Sequence, residues 1–75
     1  MPRNVSWRDS AWALLLEMPP KMQQDALGVV GALIADPLPA EAEPYRDVPD
    51  AFKLATGLVC VFYRLVGEEI DIVYL

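Results

Sequence analysis

The sequence contains no histidine and a single cysteine, Cys60. Without histidine there is no imidazole base, no His-activated nucleophile and no His metal ligand. A lone thiol makes no internal disulfide and no Cys-x-x-Cys redox or zinc pair. Such cysteine usage fits a reducing, cytoplasmic setting. The four glycines, Gly28, Gly31, Gly57 and Gly67, form no phosphate-cradling loop. Positive charge is also short. Six Lys and Arg against eleven Asp and Glu leave a formal charge of −5, which opposes a general nucleic-acid footprint. No apolar run approaches the ~20 residues of a membrane span, so no membrane association is expected. Met1-Pro2-Arg3-Asn4 leads into no signal-type apolar core. Glu68, Glu69 and Asp71 surround a turn, but no further oxygen ligands stand at a suitable spacing, so neither metal nor cofactor is expected.

What is present is apolar and compactly arranged. The chain has 75 residues, 55% of them hydrophobic and 23% charged. That balance belongs to a globular chain rather than a disordered one. At this size roughly 60% of the unfolded surface can be buried, enough for one core and one domain over 1–75.

Val5-Ser6-Trp7 can form a brief strand, and Asp9 or Ser10 can cap a following helix. In that helix Ala11, Leu15 and Met18 fall at i, i+4, i+7, with Trp12 and Leu16 widening the stripe. Pro19-Pro20 ends it, and Pro20 can open a second helix to Ala35. There Met22, Ala26, Val29 or Val30, and Leu33 repeat with helical period. Gly28 and Gly31 in its interior suggest close packing against the first helix or the sheet. Residues 36–50 are a Pro-rich loop with five acids and one base, in which Tyr45 can pin the loop to the core.

From Ala51 onward the period changes to two. Phe52 and Leu54 alternate with Lys53 and Ala55, Leu58 to Leu65 is β-branched and aromatic, and Ile70, Ile72 and Tyr74 alternate with Asp71 and Val73. Turns at Thr56-Gly57 and Gly67-Glu68 make these an antiparallel meander. The expected class is α+β in the order β-α-α-β-β-β, with two antiparallel helices packed on a small antiparallel sheet and Val5–Trp7 as an edge strand.

Several residues invite a functional reading. Lys53 and Arg64 are anion-site candidates, although long cations on an open sheet face are commonly just solvated. Cys60 reads as a small buried hydrophobe. Trp12 is available to a partner if Trp7 takes the core position. The loop acids Asp36, Glu41, Glu43, Asp47 and Asp50 are either solvated or a docking surface for a basic protein. The apolar C-terminal strand, with Ile70, Ile72 and Tyr74, would attract another chain if it lies at an edge, by self-pairing into a homodimer or by strand addition.

The ordered pieces together resemble the RelE/ParE toxins of toxin–antitoxin systems across nearly the whole chain. They are Val5-Ser6-Trp7, an early Ala11, Leu15-Leu16-Glu17-Met18-Pro19, Asp36-Pro37-Leu38-Pro39, Phe52-Lys53-Leu54-Ala55, Gly57, Val59-Cys60-Val61-Phe62-Tyr63-Arg64 and Glu68-Glu69-Ile70. The resemblance implies a protein partner of antitoxin type. It also implies either cleavage of messenger RNA on the ribosome or poisoning of gyrase. In the nuclease branch, cations stabilise charge on the scissile phosphate and a base activates the ribose hydroxyl. Lys53 matches a basic position of that branch. Ala55 and Cys60 look like positions where arginine is frequent, and no residue here matches the family's Gly-His-Arg-type tail. Two readings follow: a non-catalytic protein-interaction module on a toxin-like scaffold, or a working toxin, most simply a ribosome-dependent endoribonuclease.

Overall fold

The computed structural model describes residues 4–57 and 59–75. Its elements are β1 (Asn4–Trp7), α1 (Asp9–Glu17), α2 (Pro20–Ala35), β2 (Glu43–Pro44), β3 (Ala51–Thr56), β4 (Val59–Val66) and β5 (Glu69–Tyr74). Two helices pack on one face of a five-stranded mixed sheet, an α+β fold.

The helices follow the apolar periodicity. Ala11 and Leu15 of α1 are buried, with Met18 packed beside them. Trp12 and Leu16 do not widen this stripe; they face solvent at 46% and 62% exposure. A helix of this length buries one narrow stripe, and Ala11 and Leu15 already fill it. The N-cap is Arg8, without a side-chain hydrogen bond, so neither Asp9 nor Ser10 caps α1. Asp9 sits instead in the first turn, where its charge suits the helix dipole. At the other end, Gln23 of α2 donates its amide to the Leu15 carbonyl at 2.9 Å. It adds a second donor to a carbonyl that already accepts from the Met18 N–H at the helix end. In α2, Pro20 occupies the first turn, and Ala26, Val29, Val30 and Leu33 are buried. Gly28 and Gly31 are not close-packing sites: a Cβ at either would meet nothing within 4 Å.

The strand order is β1-β5-β4-β3-β2. β3, β4 and β5 form the expected meander, through turns at which Gly57 and Gly67 adopt φ of +56° and +59°. The expected start of the central strand at Leu58 lies outside the described residues. Two features depart from the expected sheet, one an added antiparallel strand and one a parallel pairing. A two-residue strand, β2, rises out of the loop to pair with β3. β1 pairs in parallel with β5, Val5 opposite Ile70 and Trp7 opposite Ile72. The chain leaving β1 runs through both helices before it returns, the kind of long crossover that parallel neighbours require.

β5 is therefore not an edge. It is hydrogen-bonded to β1 on one side and β4 on the other, so self-pairing through it has no open edge to use. Ile70 and Ile72 are 0% exposed in the core and are not available to a partner. The helix-covered core joins them to Leu54, Val59, Val61 and Tyr63 of the sheet and to Leu33 of α2.

Candidate functional site

The face of the sheet away from the helices carries the polar chemistry. Alternation along β4 sends Val59, Val61 and Tyr63 into the core. Cys60, Phe62 and Arg64 therefore project from the open face. Cys60 is half-buried there rather than sealed inside. On β3, Lys53 lies opposite Phe62 and Ala55 opposite Cys60. Lys53 and Arg64 thus share this face, on either side of Phe62.

A bulge completes the face. Phe62 pairs with Tyr74 but Tyr63 with Ile72, leaving Val73 as the extra residue. Strict alternation would put Tyr74 in the core with Ile70 and Ile72. The bulge breaks the phase, and Tyr74 is 51% exposed with its ring 5.9 Å from Phe62. From the loop, Tyr45 packs edge-on against Phe62 at 4.9 Å. The Arg46 guanidinium lies 5.1 Å over the Tyr45 ring. Tyr45 thus pins the loop to the open face, while Tyr63 pins residue 37 from the core side, its hydroxyl donating to the Pro37 carbonyl at 2.8 Å.

These groups enclose a cleft of about 350 Å³ lined by Arg8, Tyr45, Phe62, Arg64, Val73 and Tyr74 among others. The cations of this face are unequally engaged. Arg8 is paired with Asp71 at 3.2 Å, and Lys53 with Glu43 at 3.7 Å. Arg64 Nε is enclosed without a hydrogen-bond partner among the described residues. A guanidinium so placed can receive an anion, and the aromatic rings beside it can stack on a planar group. Among the described residues no group of His, Cys, Asp or Glu is arranged to hold a metal.

Arg8, Tyr45 and Val73 escaped sequence reasoning as site residues. Arg8 precedes a helix and Tyr45 lies in a loop; only the pairing of β1 with β5, and of β2 with β3, carries them to this face. Trp12 stays apart from the cleft, edge-on to Trp7 at 5.5 Å near the start of α1.

Among solved structures the similarity is high. The fold is that of the RelE toxins. A RelBE toxin–antitoxin complex from Mycobacterium tuberculosis superposes with a TM-score of 0.84 at 22% identity, covering 99% of this chain and 95% of that one. Free Escherichia coli RelE, as a double arginine-to-alanine mutant, gives 0.82 at 11% identity over 99% of this chain and 81% of that one. The intact E. coli RelBE toxin–antitoxin complex gives 0.83 at 10% identity over 96% and 92%. No protein-family model and no curated protein matches the sequence. The RelE-like element order was readable from the pattern of strands and helices even though the identities are this low. No described helix is long and apolar enough to cross a membrane.

Proposed function

We propose that this chain is a protein-binding module on a RelE-like scaffold, with a partner of antitoxin type and no ribonuclease chemistry of its own. The observation that carries this reading is the cross-strand pair Ala55–Cys60 on the open face, next to the β3–β4 turn. A methyl group and a thiol stand where the family resemblance leads one to expect cations. Cleaving a phosphodiester requires several positive groups converging on the developing charge. Here Lys53 and Arg8 are each engaged by a carboxylate and Arg46 is stacked on Tyr45, which leaves Arg64 as the one cation within the cleft without a partner among the described residues. A protein partner is supported by the RelBE complexes and by apolar side chains on the surface. Trp12 and Leu16 lie one turn apart on α1, both exposed, and exposed aromatics of this kind anchor protein interfaces.

The experiment is induced expression in a bacterium, with growth followed and transcript ends mapped, beside co-expression with the product of the adjoining reading frame. Normal growth, intact messages and a co-purifying complex are expected. The rival reading, a ribosome-dependent endoribonuclease, draws on the aromatic cleft around Arg64. Growth arrest with codon-phased cleavage, lost in the Lys53→Ala, Arg64→Ala double variant, would establish it instead. Arrest without cleavage would indicate a protein target such as gyrase.

A further inference from the structure

On the helix side of the molecule, a groove of about 540 Å³ runs between α2 and the end of β3. Its floor is apolar and small: Gly28, Val29 and Ala32 from the helix and Leu54 from the strand, with Ala55 at the strand edge beside them. Two carboxylates, Asp25 and Glu41, line it as well. Neither has an ion-pair or hydrogen-bond partner among the described residues. Asp25 is half-buried, and its Oδ2 lies 3.2 Å from where a Cβ on Gly57 would stand, so its charge is held against the turn at the groove's end.

We propose that this groove seats a segment of the protein partner that inserts a lysine or arginine between apolar side chains. The inference rests on the protein-binding reading above and names the chemistry of the partner. Charge complementarity is its first support. Two unpaired acids over an apolar floor, on a chain of net charge −5, favour a cation whose stem can lie on that floor. The second support is Gly28. Glycine inside a helix costs about 1 kcal/mol relative to alanine, and nothing in the chain itself packs where its side chain would be. Its effect is to keep the floor open for a close approach. The third is the strand edge. β2 reaches only Lys53 and Phe52 of β3. The Ala51 carbonyl on that edge accepts from Tyr45 N–H at 2.9 Å. By strand alternation the Ala55 peptide groups face the same way, beyond the end of β2. An extended segment can lie there.

The test is selection of a displayed random peptide library on the whole chain, followed by fluorescence anisotropy of the best labelled peptide. Selected sequences rich in Lys or Arg flanked by apolar residues are expected. Binding should weaken about tenfold or more in the Asp25→Asn, Glu41→Gln double variant, with a flatter salt dependence. Gly28→Leu should block binding similarly without lowering the melting temperature, since a side chain there has open space. No selected peptide, selected peptides without basic residues, or binding indifferent to these variants would overturn the groove. A wild-type chain that forms no complex on co-expression overturns the protein-binding reading itself. A co-expressed complex that survives both groove variants overturns the groove alone.

Discussion

Tyr63 shows how a single polar atom is accommodated in a core this small. Its ring is buried and its hydroxyl reaches the Pro37 carbonyl at 2.8 Å. Burial, and secondarily the negative charge of Asp36, push its pKa up from the usual 10.0. A phenol whose folded pKa is raised contributes stability that is fully present below the unfolded value. That stability drains as pH rises from there through the folded pKa, because the unfolded chain gives up its proton first. Melting temperature should therefore fall as pH climbs above about 10, and Tyr63→Phe should shallow that slope. At neutral pH the same variant should lose about 1 kcal/mol, the ordinary worth of the hydrogen bond. Denaturant melts at pH 7 and thermal melts between pH 8 and 11 check both. The Arg8–Asp71 pair presents the contrasting case. It is largely solvated on the arginine side, so Arg8→Ala should cost under about 1 kcal/mol and less still in high salt.

Among the elements, α2 and the β3–β4 turn use glycine for opposite reasons. In α2, Gly28 and Gly31 are interior helical positions with open space around them. Gly28→Ala and Gly31→Ala should each stabilise the fold by about 0.5–1 kcal/mol, read as a shift in urea midpoint without a change in slope. Gly57 sits in the left-handed region at φ +56° with Asp25 close by. There alanine should destabilise by about 1–2 kcal/mol. The sequence separates the turn glycine from the two helical ones but reads Gly28 and Gly31 as close-packing sites. The open space around both overturns that reading, and the backbone angle at Gly57 bears out the turn. The junction between α1 and α2 divides in the same way: Pro19-Pro20 marks the break in the sequence, but the Gln23 hydrogen bond to the end of α1 follows only from how the chain turns.

At the scale of the whole molecule, stability resides in one core shared by two helices and the sheet. Leu33 is 0% exposed within it. Leu33→Ala should cost about 2–5 kcal/mol, a large share of the 5–15 typical of whole domains, and equilibrium unfolding measures it directly. The two faces of the sheet divide the work. The helix-covered face holds the core, and the open face gathers Arg8, Arg64, Phe62, Tyr45 and Tyr74 around a cleft, with Lys53 on the same face outside its lining. Of the cations on this face, Arg8 and Lys53 are paired with carboxylates, and Arg64 is the one without a partner among the described residues. The open face is the place to look for any residual anion binding, and the groove beside α2 is the place to look for the partner.

The sequence by itself determined the α+β class, the order of the two helices and the four longer strands, the buried positions Ala11 and Leu15 of α1 and Ala26 and Leu33 of α2, and the β3–β4–β5 meander; it missed β2 and misplaced Trp12 and Leu16. What it determined was legible because helix and strand periods are local: 3.6 and 2 residues are legible in any window long enough to repeat. Pro19-Pro20 and the glycine turns are local in the same way. Only the tertiary structure decided the parallel docking of β1 on β5, which closed the expected edge. It also decided the bulge at Val73, which turned Tyr74 outward. Strand partners and register depend on contacts between residues more than sixty positions apart, as Val5 and Ile70 are. A one-residue slip there inverts which side chains face the core, and no local pattern carries that information.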